Sequence, residues 1–158
     1  KEGLTRSIGV SNFRKSHLQN LLSKVHIVPS INQIETNPQM VDEETIQYCK
    51  ENKIGVEAWS PLGSGACLNN PKIQEIANKY QKSSAQIILR WLLQKGIVIL
   101  PKSVHENRIK ENIDIFDFEL NEEEMKQISS LDMGYSGSRA KHFDVEFVEM
   151  CLAKKIHD

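Results

Sequence analysis

The stretch Ile97-Val98-Ile99-Leu100-Pro101-Lys102-Ser103 decides how this chain is read. Its first four residues are all apolar, and three of them are β-branched. A strand without alternation is one buried on both faces, and such strands belong to parallel sheets covered by helices. Just upstream, residues 84–95 open with a Ser cap and carry Ala85, Ile88, Leu89 and Leu92 on one helical face. Just downstream, the spacing predicts a second helix that includes residues 108–112. The local order is therefore helix, buried strand, helix.

The same alternation extends back to the start of the chain. Ser7-Ile8-Gly9-Val10 reads as a first strand, followed by a helix with the stripe Leu18, Leu21, Leu22 and Val25. Ser30-Ile31-Asn32-Gln33-Ile34 reads as a second strand, stopped by Asn37-Pro38 and followed by a helix over residues 41–52. Gly55-Val56-Glu57-Ala58-Trp59 reads as a third, followed by a Pro/Gly/Ser loop over residues 60–65 and a helix over residues 71–80. Alternation of this kind calls for parallel pairing through right-handed crossovers. Four such units are half of an eight-fold barrel. A small open doubly wound sheet is the other reading, weakened because no GxGxxG follows the first strand. Beyond the fourth unit, Asn121-Glu122-Glu123-Glu124 resembles a capping box and starts a helix to about residue 131. Residues 133–143 read as an irregular tail, and residues 145–155 as a last short helix. We expect one partial domain over residues 1–158, with four βα units in residues 1–120 and an extra helix and tail in residues 121–158.

Composition narrows the function. Hydrophobic residues make up 39% of the 158 and charged residues 26%, an ordinary globular balance. The net charge is −1 and the pI about 6.6, so no global basic field exists to hold nucleic acid or an anionic membrane. Any phosphate must be bound by a local cluster. Cys49, Cys67 and Cys151 form no CxxC pair and no metal spacing. They read as reduced thiols, and with no signal peptide and no apolar run of membrane length the expected compartment is the cytoplasm. Residues 1–5 read as the end of a helix, a Gly stop and a lead into a strand, which suggests sequence upstream.

Functional groups of βα barrels sit at the C-terminal ends of the strands. At the first end, Ser11 and Asn12 offer a hydroxyl beside an amide, or alternatively a helix N-cap. At the second, Gln33 lies within an apolar strand. It either finds backbone partners or pairs with another amide, such as a carboxamide. At the third, Trp59 either fills the core or stacks on a flat ring, and the loop with Ser60, Leu62 and Ser64 presents N–H groups suited to phosphate oxygens. The fourth is the richest. Lys102 and Ser103 leave the strand, and Arg108 follows near a helix start, which together make an anion site.

In their order and spacing, Ser7–Phe13, Asn32-Gln33-Ile34-Glu35 with Asn37-Pro38, Trp59-Ser60-Pro61-Leu62-Gly63, and Pro101-Lys102-Ser103 with Arg108 and Glu111-Asn112 resemble the aldo-keto reductase family. The likeness runs from about residue 4 to about residue 131. It implies the C-terminal half of a (βα)₈ TIM barrel and an NADPH cofactor. Ser11, Asn12 and Gln33 would then hold the nicotinamide carboxamide, with Trp59 stacked on its ring. Many members have Tyr there, and Trp resembles the bacterial diketogluconate reductase branch. Ser60, Leu62 and Ser64 would line the pyrophosphate path. Lys102, Ser103, Val104 and Arg108 would grip the 2′-phosphate, and Glu111 and Asn112 would meet the adenine.

The family's catalytic Asp, Tyr, Lys and His lie on its first four strands, which would precede Lys1. Tyr48, Tyr80, Tyr135 and the five His residues do not match those motifs. No catalytic residue and no metal site is therefore assigned here. The resemblance implies part of an oxidoreductase that reduces small aldehydes or ketones and is inactive by itself, with residues 135–143 at the place of the family's substrate loop. The alternative is a non-catalytic half-barrel that self-associates through its exposed strand edges and binds nucleotide or a protein partner.

Overall fold

The computed structural model describes residues 3–134 and 145–153. Residues 135–143 of the expected tail, the last residues of the expected final helix, and with them Tyr135, His142 and His157, lie outside the described residues.

Four strands form one parallel sheet in the order β1 (Gly9–Ser11), β2 (Ile31–Glu35), β3 (Gly55–Trp59), β4 (Val98–Ile99). Spatial order equals sequence order. A doubly wound sheet reverses direction at a switch point, which puts helices on both faces. Here every crossover advances the same way, so the helices gather on one face, as in consecutive units of a barrel.

The helices are α1 (Lys15–Leu22), α2 (Glu43–Glu51), α3 (Pro71–Tyr80), α4 (Ser84–Gln94), α5 (Glu106–Ile113), α6 (Glu122–Ser129) and α7 (Val145–Ala153). Their starts follow local chemistry. Asp42, Asn70, Ser83 and Asn121 each accept a hydrogen bond from a first-turn N–H. At α4 and α6 the third residue, Gln86 or Glu124, bonds back to complete a capping box.

Helix α4 is the centre of the core. Ile88, Leu89 and Leu92 are fully buried, as their spacing requires, but so are Ile87 and Trp91 on its other side. The sheet covers one side of α4 while α3, α5 and α6 cover the rest. The Trp91 indole N–H donates to Ser129 Oγ at 3.2 Å, which removes the cost of burying that donor.

Register separates the two faces of the sheet. Val10, Asn32 and Val56 stand level, as do Ala58 and Ile99, and these point toward the helices. Ser11, Gln33, Glu57 and Val98 form one row across all four strands on the opposite face. No element among the described residues covers that face.

Two sequence expectations need correction. Residues 97–100 do not form a strand buried on both faces. Only Val98–Ile99 pair with β3, and Val98 and Leu100 are 48% and 45% exposed while Ile97 is buried. As the terminal strand of an open sheet, β4 is covered by helices on one side only. The first helix ends at Leu22, so Val25, 37% exposed, drops out of its stripe.

Candidate functional site

The ends of β1, β2 and β3 are tied together by side chains. Asn32, fully buried on the helix face of β2, accepts from the Phe13 N–H at 3.3 Å and donates to the Phe13 carbonyl at 2.7 Å. That double bond fixes the turn after β1. There Asn12 takes φ = 57°, a left-handed conformation that Asn tolerates better than most residues. The Asn12 N–H and the Ser11 hydroxyl both donate to the Gln33 carbonyl, at 2.8 and 3.1 Å. The Trp59 indole N–H donates to Asn12 Oδ1 at 2.8 Å, reaching across β2. The Gln33 amide donates to the Glu57 carboxylate beside it in the sheet.

The structure thus brings Ser11, Asn12, Gln33 and Trp59 into one hydrogen-bonded cluster at the open face. Neither Ser11 nor Asn12 caps α1, whose N-cap is Arg14. Gln33 is satisfied by a side chain rather than by backbone. Trp59 is half-buried at the strand end, and the core position belongs to Trp91. A groove lined by Ser11, Asn12, Phe13, His17, Asn20, Leu21 and Lys24 runs from this cluster along α1. Sequence reasoning missed Glu57. A charged residue inside an otherwise uncharged strand was the one signal in the sequence, and only the register sets it beside Gln33.

The loop after Trp59 turns sharply, with φ = 52° at both Ser60 and Ser64, whose hydroxyls stand 3.4 Å apart. Its supply of free N–H groups is smaller than its composition suggests. The N–H of Gly63 is taken by the Ser60 carbonyl and that of Gly65 by the Leu62 carbonyl. Those of Leu62 and Ser64 carry no partner among the described residues.

Lys102, Ser103, Val104, Arg108, Glu111 and Asn112 form a second group, on the β4–α5 loop and α5. Lys102, Val104 and Arg108 are exposed, and Lys102 and Arg108 make none of the ion pairs among the described residues. Ser103 Oγ accepts from the His105 N–H at 3.1 Å, which shapes the loop. No side chain caps α5 at His105, so its first-turn N–H groups stay open beside two cations. Glu111 and Asn112 lie one turn past Arg108 on the same helix face. No hydrogen bond or ion pair joins this group to the first. They share only the strand-end edge of adjacent β3 and β4.

The tyrosines of the described residues stand elsewhere. Tyr48 packs against the core from α2. Tyr80 donates to Glu124 Oε2 at 2.7 Å, and burial together with that carboxylate pushes its phenol up from the ordinary value. An acid that must release a proton readily needs the opposite shift. His17 lies on α1, and His26 and His105 are exposed in loops. Cys49 and Cys67 are buried, and burial raises the Cys49 pKa. No cluster of three or more metal-ligating side chains occurs among the described residues. No helix among them is long and apolar enough to cross a membrane.

Residues 1–133 match the family described as the Aldo/keto reductase family. The chain belongs to that family. It is 51% identical over 131 residues to the glyoxal reductase of Bacillus subtilis, an alignment covering 83% of this chain and 48% of that protein. The crystal structure of an aldo/keto reductase from Brucella melitensis superimposes with a TM-score of 0.76 at 47% identity, over 80% of this chain and 48% of that one. A silkworm aldo-keto reductase complexed with NADPH does so with a TM-score of 0.81 at 38% identity, over 87% and 46%. The chain spans about half the length of the relatives it matches. Its four parallel strands and their helices are thus four consecutive units of the aldo/keto reductase barrel.

Proposed function

We propose that this chain supplies the NADPH-binding part of an oxidoreductase that reduces small aldehydes or ketones. The observation that carries the reading is the cluster at the ends of β1, β2 and β3. The Trp59 indole occupies Asn12 Oδ1 and the Glu57 carboxylate occupies the Gln33 amide nitrogen, leaving a donor on Asn12 and an acceptor on Gln33. A primary carboxamide needs that complement. Asn12, Gln33 and Ser11 would hold the nicotinamide carboxamide and Trp59 would lie against the ring. Ser60, Leu62 and Ser64 would border the pyrophosphate, with the open N–H groups of Leu62 and Ser64 available to its oxygens. Lys102, Arg108, Ser103, Val104 and the uncapped start of α5 would take the 2′-phosphate, and Glu111 and Asn112 the adenine. Bound there, NADPH would supply the hydride for the carbonyl carbon.

We place the proton donor for the carbonyl oxygen outside this set, because Tyr48 packs on the core from α2, Tyr80 is held by Glu124, and no stretch of the sequence matches the family's catalytic motifs. The 158 residues alone are therefore expected to bind cofactor without turnover. The test is titration of the purified protein with NADPH, followed by tryptophan fluorescence, with NADH as control. Trp91 is sealed in the core, so quenching reports on Trp59. Quenching by NADPH at concentrations where NADH does nothing supports the reading. An equal response to both, or none, refutes it. Carbonyl-dependent NADPH oxidation by the 158 residues alone would refute the claim that they lack the proton donor.

Ile8, Val98 and Leu100, each 45% exposed or more along the two open edges, favour a second reading in which copies of the chain associate through β1 and β4. Light scattering across a concentration series separates a monomer from such a dimer.

A further inference from the structure

We propose that Glu57 is a positioning residue: it fixes the Gln33 amide with its oxygen outward, so that the Asn12–Gln33 pair accepts a carboxamide and discriminates against a ketone in its place. The inference rests on the cofactor reading above and adds to it the residue that sets the polarity of the site.

Donor and acceptor chemistry sets how each amide is turned. A carboxylate can only accept, so the Gln33 group facing Glu57 is its NH₂, and Gln33 Oε1 is left pointing away. An indole N–H can only donate, so the Asn12 atom facing Trp59 is Oδ1, and the Asn12 NH₂ points away. Two side chains of one strand, Glu57 and Trp59, therefore set the two amides in opposite senses. The backbone supports both: the Asn12 N–H and the Ser11 hydroxyl bond to the Gln33 carbonyl, which holds the two residues side by side. Without Glu57, the Gln33 amide can rotate half a turn and offer NH₂ instead of oxygen. The site then presents two donors and loses its preference for a ligand group that itself carries N–H. Glu57 is half-buried in the sheet and touches no cofactor atom in this scheme, so its effect on binding passes through Gln33.

The experiment compares NADP⁺ with its 3-acetylpyridine analogue, in which a methyl ketone replaces the carboxamide. The ketone oxygen still accepts from Asn12 but nothing donates to Gln33. Affinities are read by Trp59 quenching. The unsubstituted protein is expected to prefer NADP⁺ by about fivefold, the worth of one hydrogen bond. Glu57→Val should bring the ratio close to one, and Glu57→Gln, whose amide oxygen still accepts from Gln33, should restore most of it. A merely structural role weakens both ligands equally and leaves the ratio unchanged, which would overturn the inference while the cofactor reading stands. No quenching by NADP⁺ in the unsubstituted protein overturns both. Should Glu57→Val not fold, ¹⁵N-glutamine labelling of the unsubstituted protein gives an independent reading. One Gln33 side-chain N–H proton must be shifted downfield and exchange slowly, and a solvent-like pair there overturns the proposal.

Discussion

The two faces of one sheet obey different rules in this protein. On the helix side stand Ile34, Val56 and Ala58, each under 10% exposed and packed against α4 and its neighbours. On the other side, one residue along each strand, stand Ser11, Gln33, Glu57 and Val98, three of them polar and linked by hydrogen bonds. The first face holds the fold together by removing apolar surface from water. The second contributes little burial and carries the candidate chemistry. The difference teaches that stability and function here are separable by a shift of a single residue along a strand, because side chains alternate with a period of two.

That separation can be broken or sharpened by substitution. Trp91→Ala, deep on the helix side, should cost about 3–5 kcal/mol in urea unfolding. A cost below about 1 kcal/mol would show that the core is not centred on α4. Arg108→Ala, at the strand-end edge, should weaken NADPH binding tenfold or more through a lost charge-assisted bond worth about 1.5–3 kcal/mol. Its unfolding free energy should move by no more than about 0.5 kcal/mol. Loss of stability in step with affinity would erase the distinction between the faces.

A smaller effect concerns Glu124, which closes the helix side between α3 and α6. Burial alone would raise its carboxyl, but hydrogen bonds from Lys79, Tyr80 and the Asn121 N–H outweigh that and hold it below the ordinary carboxylate range. A carboxyl lowered in the folded state adds stability above its unfolded pKa of about 4 and loses it as acid protonates the folded form. The unsubstituted protein should therefore exceed Glu124→Gln in stability at neutral pH, with the gap closing as pH falls through that range. A gap independent of pH would assign the role to packing. The smallest change in stability is expected for Val98→Lys on the open face, within about 0.5 kcal/mol, while any concentration-dependent association through β4 should disappear. Unchanged association would remove the edge from consideration.

Much of this was legible without coordinates. Residues 55–59 and 71–80 coincide with β3 and α3, because a short alternating stretch opened by Gly55 and closed by the Ser-Pro turn, and a Pro-initiated amphipathic stretch after Asn70, carry their own boundaries. Ser11, Asn12, Gln33 and Trp59 stood out as polar or aromatic residues at strand ends, and all four meet in one cluster. The exposure of β4 was not legible, since an apolar run gives no sign of whether both of its faces are covered. Nor was the role of Glu57, whose meaning depends on the register that sets it beside Gln33.

The sequence by itself determined the parallel alternation of strands and helices, the capped helix starts and the family, because each depends on local spacing or on motifs within a few residues. Only the tertiary structure decided which side of each strand would be left open and which way the Asn12 and Gln33 amides would face. Those outcomes depend on contacts between residues 21 to 47 positions apart, Asn12 with Gln33 and with Trp59, and no local pattern encodes them.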